Sequence, residues 1–507
     1  VIIASRPPRA LLAAGAVTAV IALIPIGYIA LRAVDAGWGR VTEVLWRQRT
    51  LETVVTSVGL VVAVTTACLA IGIPTAWLVA RSRLPLRRMW LVAVALPLAL
   101  PSYVVAYAWI SLIPGFSGFW AAVLVLTSVS TPYIVLPTAA ALRMADPAME
   151  DVARSLGRRP FAAFRLATGP QVWPAAAAGA LLVALYTLSD FGAVALLRVD
   201  AFTRVIFAAY RGSFDRVSAA TLAIILVIFA LLLVLLERQV RGRGARWRTS
   251  SDVARSAVPV RLSHAWTIVS LLSLGVITVV GLVIPIYSLL ERFVQGARGG
   301  INLAEIGLAT INSFGASLLG ALVAVTLALP VGILAARYTT RSVRFIESSS
   351  FIGHALPAIV VGLSLVLFTL NVVPVLYQTL AALALAYAVI FLPKSLGSTR
   401  TAIAGVPPVL EDTARSLGRG PMRAWAATTL RSALPGITAG GVLVLLTAMK
   451  ELPATLIMRP TGFDTLATEL WSRTEIAAYG AAAPYALALV LLAALPAWLL
   501  SRTMGVT

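Results

Sequence analysis

Apolar stretches of about twenty residues alternate along the chain with short polar segments rich in arginine. A hydrocarbon core of about 30 Å is crossed by about 20 helical residues, so each stretch predicts a membrane-spanning helix. Twelve occur. Those of the first half lie near 10–31, 51–80, 89–113, 119–142, 173–197 and 218–236; those of the second lie near 264–290, 312–336, 346–371, 375–393, 435–457 and 482–501. The expected fold class is an all-α membrane protein with about twelve transmembrane helices. The first run, Ala10 to Leu31, follows Arg6 and Arg9 as a signal peptide would, but it is long enough to span and is read as a retained first helix.

The polar segments set the orientation. With both termini in the cytoplasm, 28 Lys or Arg fall on the inner arm, loops (81–88, 143–172, 237–263, 337–344, 394–434) and tail, and 12 fall outside. The positive-inside rule selects that orientation, and anionic lipid becomes the expected partner of the basic loops. The formal charge of +21, which would suggest nucleic-acid binding in a soluble chain, then needs no nucleic acid. Composition agrees: 60% of the 507 residues are hydrophobic and 12% charged, with mean hydropathy +0.93, against about a quarter charged in soluble proteins. Soluble-enzyme and disordered classes are excluded.

Candidate chemistry is sparse. Cys68 has no second cysteine to pair with, and His264 and His354 cannot make a histidine cluster. The two lysines, Lys394 in a cytoplasmic loop and Lys450 in a span, do not follow a phosphate-cradling glycine loop. The chain is expected to bind no ATP, no cofactor and no resident metal.

Self-comparison shows a repeat. Glu150 to Gly157 reads EDVARSLG and Glu411 to Gly418 reads EDTARSLG, an offset of 261 that also pairs Pro160 with Pro421, Pro174 with Pro435 and Tyr210 with Trp471. Upstream, an offset of 256 pairs Ser57 with Ser313, Arg81 with Arg337, Pro101 with Pro357 and Pro137 with Pro393. Residues 1–236 and 264–507 are thus two copies, joined by a polar cytoplasmic linker at 237–263. An even number of spans per copy makes the copies parallel, related by an approximate two-fold axis along the membrane normal.

The duplicated loop reads as a helical hairpin. Pro147 opens a short helix, Glu150 and Arg154 form a favourable i,i+4 pair, Gly157 ends the helix, and Pro160 starts the next; Pro408, Glu411, Arg415, Gly418 and Pro421 repeat the design. The spacing from Asp151 and Ala153 to Gly157, and from Asp412 and Ala414 to Gly418, resembles the EAA loop of binding-protein-dependent ABC importer permeases. Both copies carry Asp where that family usually has Glu, and the later Leu-Pro element is Gly169-Pro170 in one copy and Leu430-Arg431 in the other.

The resemblance implies a type I importer permease fold with two fused units in the bacterial inner membrane. It implies coupling to two ATP-binding subunits through Glu150, Asp151, Ala153, Arg154 and Gly157 and through Glu411, Asp412, Ala414, Arg415 and Gly418. ATP and Mg would belong to those subunits, and an extracytoplasmic binding protein would deliver the substrate. Its docking residues are expected on the outer segments, at Arg204, Tyr210, Arg211, Trp471 and Arg473.

Charges within spans are costly and point to function. Asp190 and Glu451 occupy repeat-equivalent positions, each two residues before Gly192 or Pro453, a pattern that predicts interrupted helices lining a cavity. Tyr186, Ser189, Asp190, Lys450 and Glu451 are therefore candidate pathway residues; the alternative is that Asp190 caps a broken helix and Glu451 neutralises a neighbouring cation. The segment from Lys450 to Thr468 is similar to permeases of the ferric-iron import subfamily, which implies iron as substrate with transient contact at Asp190 and Glu451. Thiamine and polyamine are the alternatives. A secondary transporter or a non-transporting scaffold would be a different class.

Overall fold

The computed structural model describes residues 7–212, 215–244 and 259–503. Among these residues the chain is helical, with one isolated parallel bridge between Ser82 and Val260. All twelve expected stretches fall on helices. Among the described residues, nine helices are long and apolar enough to cross a bilayer, including Gln48–Arg81, Arg216–Glu237, Leu303–Arg337 and Leu380–Ala404. The remaining three stretches correspond to a broken pair, Arg87–Ala99 and Ser102–Leu112, bent by 92°, and to two shorter apolar helices, Ala358–Val372 and Tyr479–Leu492.

Proline causes the breaks. Leu100 before Pro101 and Leu356 before Pro357 are extended, at ψ 130° and 123°, because the proline ring disfavours helical backbone in the residue before it. These are the prolines paired by the 256-residue offset, so the same interruption occurs in the third stretch of each copy.

The compact units differ from the sequence copies. One unit comprises Val1–Thr42, Ser213–Val227 and Gly300–Thr507; the other comprises Glu43–Gly212 and Ile228–Gly299. The first helix of each copy is therefore grouped with the later helices of the other copy, a division that cuts across the expected boundary at 236 and 264. Local packing accounts for this in each unit. Helix Arg9–Asp35 places Ala19 and Ala22 in a core with Val331, Leu334 and Ile346, and Thr18 Oγ1 donates to the Leu327 carbonyl at 3.0 Å. In the other unit, Ser288 Oγ donates to the Ala108 carbonyl at 2.8 Å, and Arg292 donates to the Ser111 carbonyl.

Within the expected linker, helix Arg216–Gly244 takes up the first residues, and 245–258 lie outside the described residues. Its last part is fastened: Val260 N donates to the Arg81 carbonyl at 2.7 Å, and Arg83 N donates to the Val260 carbonyl at 3.0 Å. Lys394 does not begin a loop, as its polarity suggested, because helix Leu380–Ala404 continues ten residues past it.

Candidate functional site

Two hairpins with the expected chain pattern form at the repeated motif. Their first helices are Ala148–Ser155 and Val409–Ser416, preceded by Pro147 and Pro408 with acids in the first turn and Arg154 or Arg415 in the last. Each ends in a Schellman motif. Gly157 N donates to the Arg154 carbonyl at 3.0 Å and Arg158 N to the Ala153 carbonyl at 3.2 Å; Gly418 and Arg419 repeat this to Arg415 and Ala414 at 2.9 and 3.2 Å. Gly157 and Gly418 have φ of +80° and +84°, a conformation that costs other residues about 1–2 kcal/mol. The Ala-x-x-x-Gly spacing is therefore the distance between the carbonyl that closes the motif and the residue that turns left-handed.

The leading glutamates face inward to their own unit. Glu150 accepts from Thr168 Oγ1 at 3.0 Å and lies within the electrostatic reach of Arg81, whose Nε donates to the Leu142 carbonyl at 3.0 Å. Glu411 accepts from Thr429 Oγ1 and, at 3.2 Å, from Arg337, which also donates to the Val406 carbonyl at 3.0 Å. Arg81 and Arg337 end the long helices Gln48–Arg81 and Leu303–Arg337, so the second hairpin is tied through Glu411 to the end of a span. Thr168 and Thr429 lie in π-helical turns, Phe164–Thr168 and Ala426–Leu430. The expected Glu150–Arg154 ion pair does not form; in the second copy Arg415 lies 3.7 Å from both Glu411 and Asp412. Repetition marked Arg81 and Arg337, but nothing local to them signalled this role.

The outer faces of the hairpins are apolar and exposed. Met149, Val152, Leu156 and Phe161 project in one, and Val409, Leu417 and Met422 in the other, with Leu156 76% and Leu417 78% exposed. Asp151 is exposed beside them, as is Asp412.

Asp190 and Glu451 occur at helix interruptions, as the sequence indicated, and both are buried. Asp190 follows helix Gly169–Ser189 and accepts from Ala193 N at 3.0 Å, Val194 N at 3.4 Å and Ser102 Oγ, which binds the short helix Gly192–Leu196 to Ser102–Leu112. Glu451 follows helix Arg431–Ala448 and accepts from Ala454 N at 2.7 Å and Thr455 N at 2.9 Å, the first turn of Pro453–Met458. Both carboxylates thus serve as caps, the structural alternative given for Asp190, and Glu451 shares it. Tyr186 and Ser189 are half-buried, and the Tyr186 ring centroid lies 5.8 Å from that of Tyr133. Lys450 adjoins Glu451, three residues after Thr447, whose Oγ1 accepts from Lys394 Nζ at 2.9 Å.

The outer segments match with a shifted register. Helices Phe202–Arg211 and Leu466–Glu475 have the same length, and their first amides bond to paired serines: Phe202 N donates to Ser57 Oγ at 3.0 Å and Leu466 N to Ser313 Oγ at 2.8 Å. The structural offset is therefore 264 rather than 261, and Trp471 corresponds to Phe207 instead of Tyr210. Trp471 is buried. Arg473 binds inside its own unit, to Glu469 at 2.9 Å, Glu305 at 3.0 Å and the Tyr485 hydroxyl at 2.9 Å. Trp471 is therefore not presented outward, while the Arg473 side chain stays 29% exposed. Arg204 pairs with Asp200, and exposed Arg211 lies 5.9 Å from the Phe207 centroid; Tyr210 is half-buried nearby.

Comparison with known proteins gives two matches to the family model of binding-protein-dependent transport system inner membrane components, at residues 69–243 and 328–502. A Fe(3+)-transport system permease protein of Haemophilus influenzae is 34% identical over 94% of this chain and 95% of its own length. Shorter relatives match 45% of the chain: a molybdenum transport system permease protein of Mycobacterium tuberculosis (31% identical, 90% of its length) and a sulfate transport system permease protein of Escherichia coli (24%, 89%).

Proposed function

The chain belongs to the binding-protein-dependent transport system inner membrane components, and on that premise we propose that it carries ferric iron into the cell as the two-unit permease of an ABC importer. It is a multi-pass inner-membrane transport subunit that works with an ATPase and a substrate-binding protein. The observation that carries the iron reading is the near full-length identity to a ferric-iron permease. Two fused units call for two ATP-binding subunits, one on each apolar hairpin, with ATP and Mg held there. The reading puts both termini in the cytoplasm, in keeping with the arginine distribution.

Closure of the ATPases on ATP would move the hairpins, and the Glu411–Arg337 contact would pass that movement to a span, as alternating access requires. Asp190 and Glu451 maintain the interrupted helices, while half-buried Tyr186, Ser189 and Lys450 are the remaining pathway candidates. Binding-protein docking is assigned to Arg204, Tyr210, Arg211 and Arg473, the members of the expected set that are not buried.

The test is uptake of radiolabelled ferric iron into vesicles containing the chain, its ATPase and its binding protein. Uptake should require ATP and the binding protein, and Gly157→Val with Gly418→Val should abolish it while the chain still inserts. Iron uptake without nucleotide would overturn the reading.

A further inference from the structure

The connection ahead of the second outer helix is longer than its counterpart and is fastened at several points. From Arg198 to Phe202 the first copy takes four residues; from Arg459 to Leu466 the second takes seven, although both helices start on paired serines. Pro460 to Phe463 form a turn: Phe463 N donates to the Pro460 carbonyl at 3.1 Å, and Gly462 supplies the left-handed position at φ +77°. Arg459 forms an ion pair with Asp464 across the base of the turn. The Asn312 amide donates to the Asp464 carbonyl at 2.9 Å, and Thr461 Oγ1 donates to Gln378 Oε1 at 3.3 Å. Thr461 and Gly462, at the tip, are exposed.

The fold does not require this loop. The first copy closes the same connection with Val199 N on the Val194 carbonyl and Ala201 N on the Val199 carbonyl, each at 2.8 Å. Ordering three additional residues costs conformational entropy that the shorter connection avoids. The bonds that fix them give an exposed, uncharged turn one shape, the preorganisation that favours binding to a partner. Position identifies that partner. Asn312 lies 25 residues before Arg337 on helix Leu303–Arg337, about 37 Å at 1.5 Å per residue, and Arg337 is the residue that holds Glu411 of the hairpin. The loop is therefore at the end of its unit opposite the hairpin. With the ATPases on the hairpins, that end faces the binding protein on which the family depends. A single-chain partner meeting two similar outer helices can settle in two opposite orientations, and a feature present on one copy alone separates them in energy.

We propose that the loop from Arg459 to Asp464 fixes the orientation in which the binding protein docks, by engaging one part of it and leaving the first copy to another part. The inference rests on the importer reading for its partner. Cys68 is the single cysteine and is buried, so Thr461→Cys and, on the first outer helix, exposed Ala208→Cys each give one accessible thiol. In nanodiscs holding the full-length chain and its ATPase, each thiol is labelled with a benzophenone crosslinker, the binding protein is added, and the joined peptides are identified by mass spectrometry. The two positions should mark separate segments of the binding protein. Removal of 461–463 from the Ala208→Cys chain should spread its crosslinks to the segment otherwise marked from Thr461. In a separate titration that leaves the loop length intact, Thr461→Arg should weaken binding about tenfold or more, equivalent to about 1.4 kcal/mol, with the thermal unfolding temperature unchanged.

Crosslinks from Ala208 with none from Thr461, one and the same segment marked from both, or Thr461→Arg binding within twofold of the unsubstituted chain overturns the proposal and leaves the importer reading standing. So does an unchanged Ala208 pattern in a shortened chain that unfolds at the normal temperature. If neither position crosslinks and the nanodiscs retain no binding protein, the importer reading itself fails, and the proposal with it.

Discussion

At the residue scale, the duplicated acids have separable charge and capping roles. Asp190 and Glu451 each accept two backbone amides at the start of a short helix, so replacing them by alanine should lower stability by about 0.5–2 kcal/mol each, the range for a lost cap. Asn and Gln keep an accepting oxygen, and the Asp190→Asn, Glu451→Gln chain should unfold in detergent near the wild-type temperature and transport iron at close to the normal rate. A collapse of uptake in that variant, with stability preserved, would instead assign the carboxylate charge to the substrate. The Glu411–Arg337 pair gives a second contrast, because its side chains are only 14% and 12% exposed. Arg337→Met leaves Glu411 poorly compensated in a mostly buried place, where breaking a pair costs up to about 3–5 kcal/mol; Glu411→Gln keeps a partner for Thr429 and should cost less. Thermal unfolding of the two variants tests the order. Glu411 and Gly418 are legible in the sequence because their roles are local and repeat together. Lys394 reads as a loop residue because one charge after Pro393 looks like a helix end; the Thr447 hydroxyl, on another helix, and the Phe391 ring accommodate its ammonium within the helix.

At the element scale, the hairpins are the parts suited to being gripped from outside. An eight-residue helix cannot persist alone in water, and these are held by proline at the start, a Schellman turn at the end and the anchored glutamate. That leaves Leu156 and Leu417 on the outward face with no internal task. Leu156→Glu and Leu417→Glu should therefore leave stability within about 0.5 kcal/mol, as at unconstrained surface sites, yet abolish co-purification of the ATPase; retention of the ATPase by the double variant would show that the grip lies elsewhere. Such elements are legible because proline, glycine and apolar length act through the backbone itself. The outer helices are less so: the sequence offset of 261 aligns Tyr210 with Trp471, but the Ser57 and Ser313 contacts fix helix starts 264 residues apart. Three additional residues before the second helix are invisible to a comparison anchored on the hairpins.

At the scale of the whole molecule, sequence copy and compact unit are different divisions, and this has a consequence for dissection. Spans are readable from apolar length, yet their grouping is not, since an apolar helix in lipid is held by close contacts rather than by a hydrophobic stripe. Gly281 illustrates this: a Cβ there would approach Pro97 Cγ at 3.3 Å and the Ser128 carbonyl at 3.5 Å, a fit that composition does not announce. A fragment ending at residue 244 retains the helices that carry Pro97, Ala108 and Ser111 but lacks Gly281, Ser288 and Arg292, which pack on them. The complementary fragment from 259 lacks helix Arg9–Asp35, and with it the Ala19 and Ala22 contacts to Val331, Leu334 and Ile346. Each fragment expressed alone should therefore be poorly stable in detergent and prone to degradation. Co-expressed, the two supply each other's missing helix and should recover a complex that unfolds near the temperature of the intact chain. Removing residues 1–42 from the first fragment should take that rescue away from the second, because the helix that covers its core is then absent from both. Were either copy alone as heat-resistant as the full chain, the exchange of first helices would have no energetic weight, and the copies would be the folding units after all.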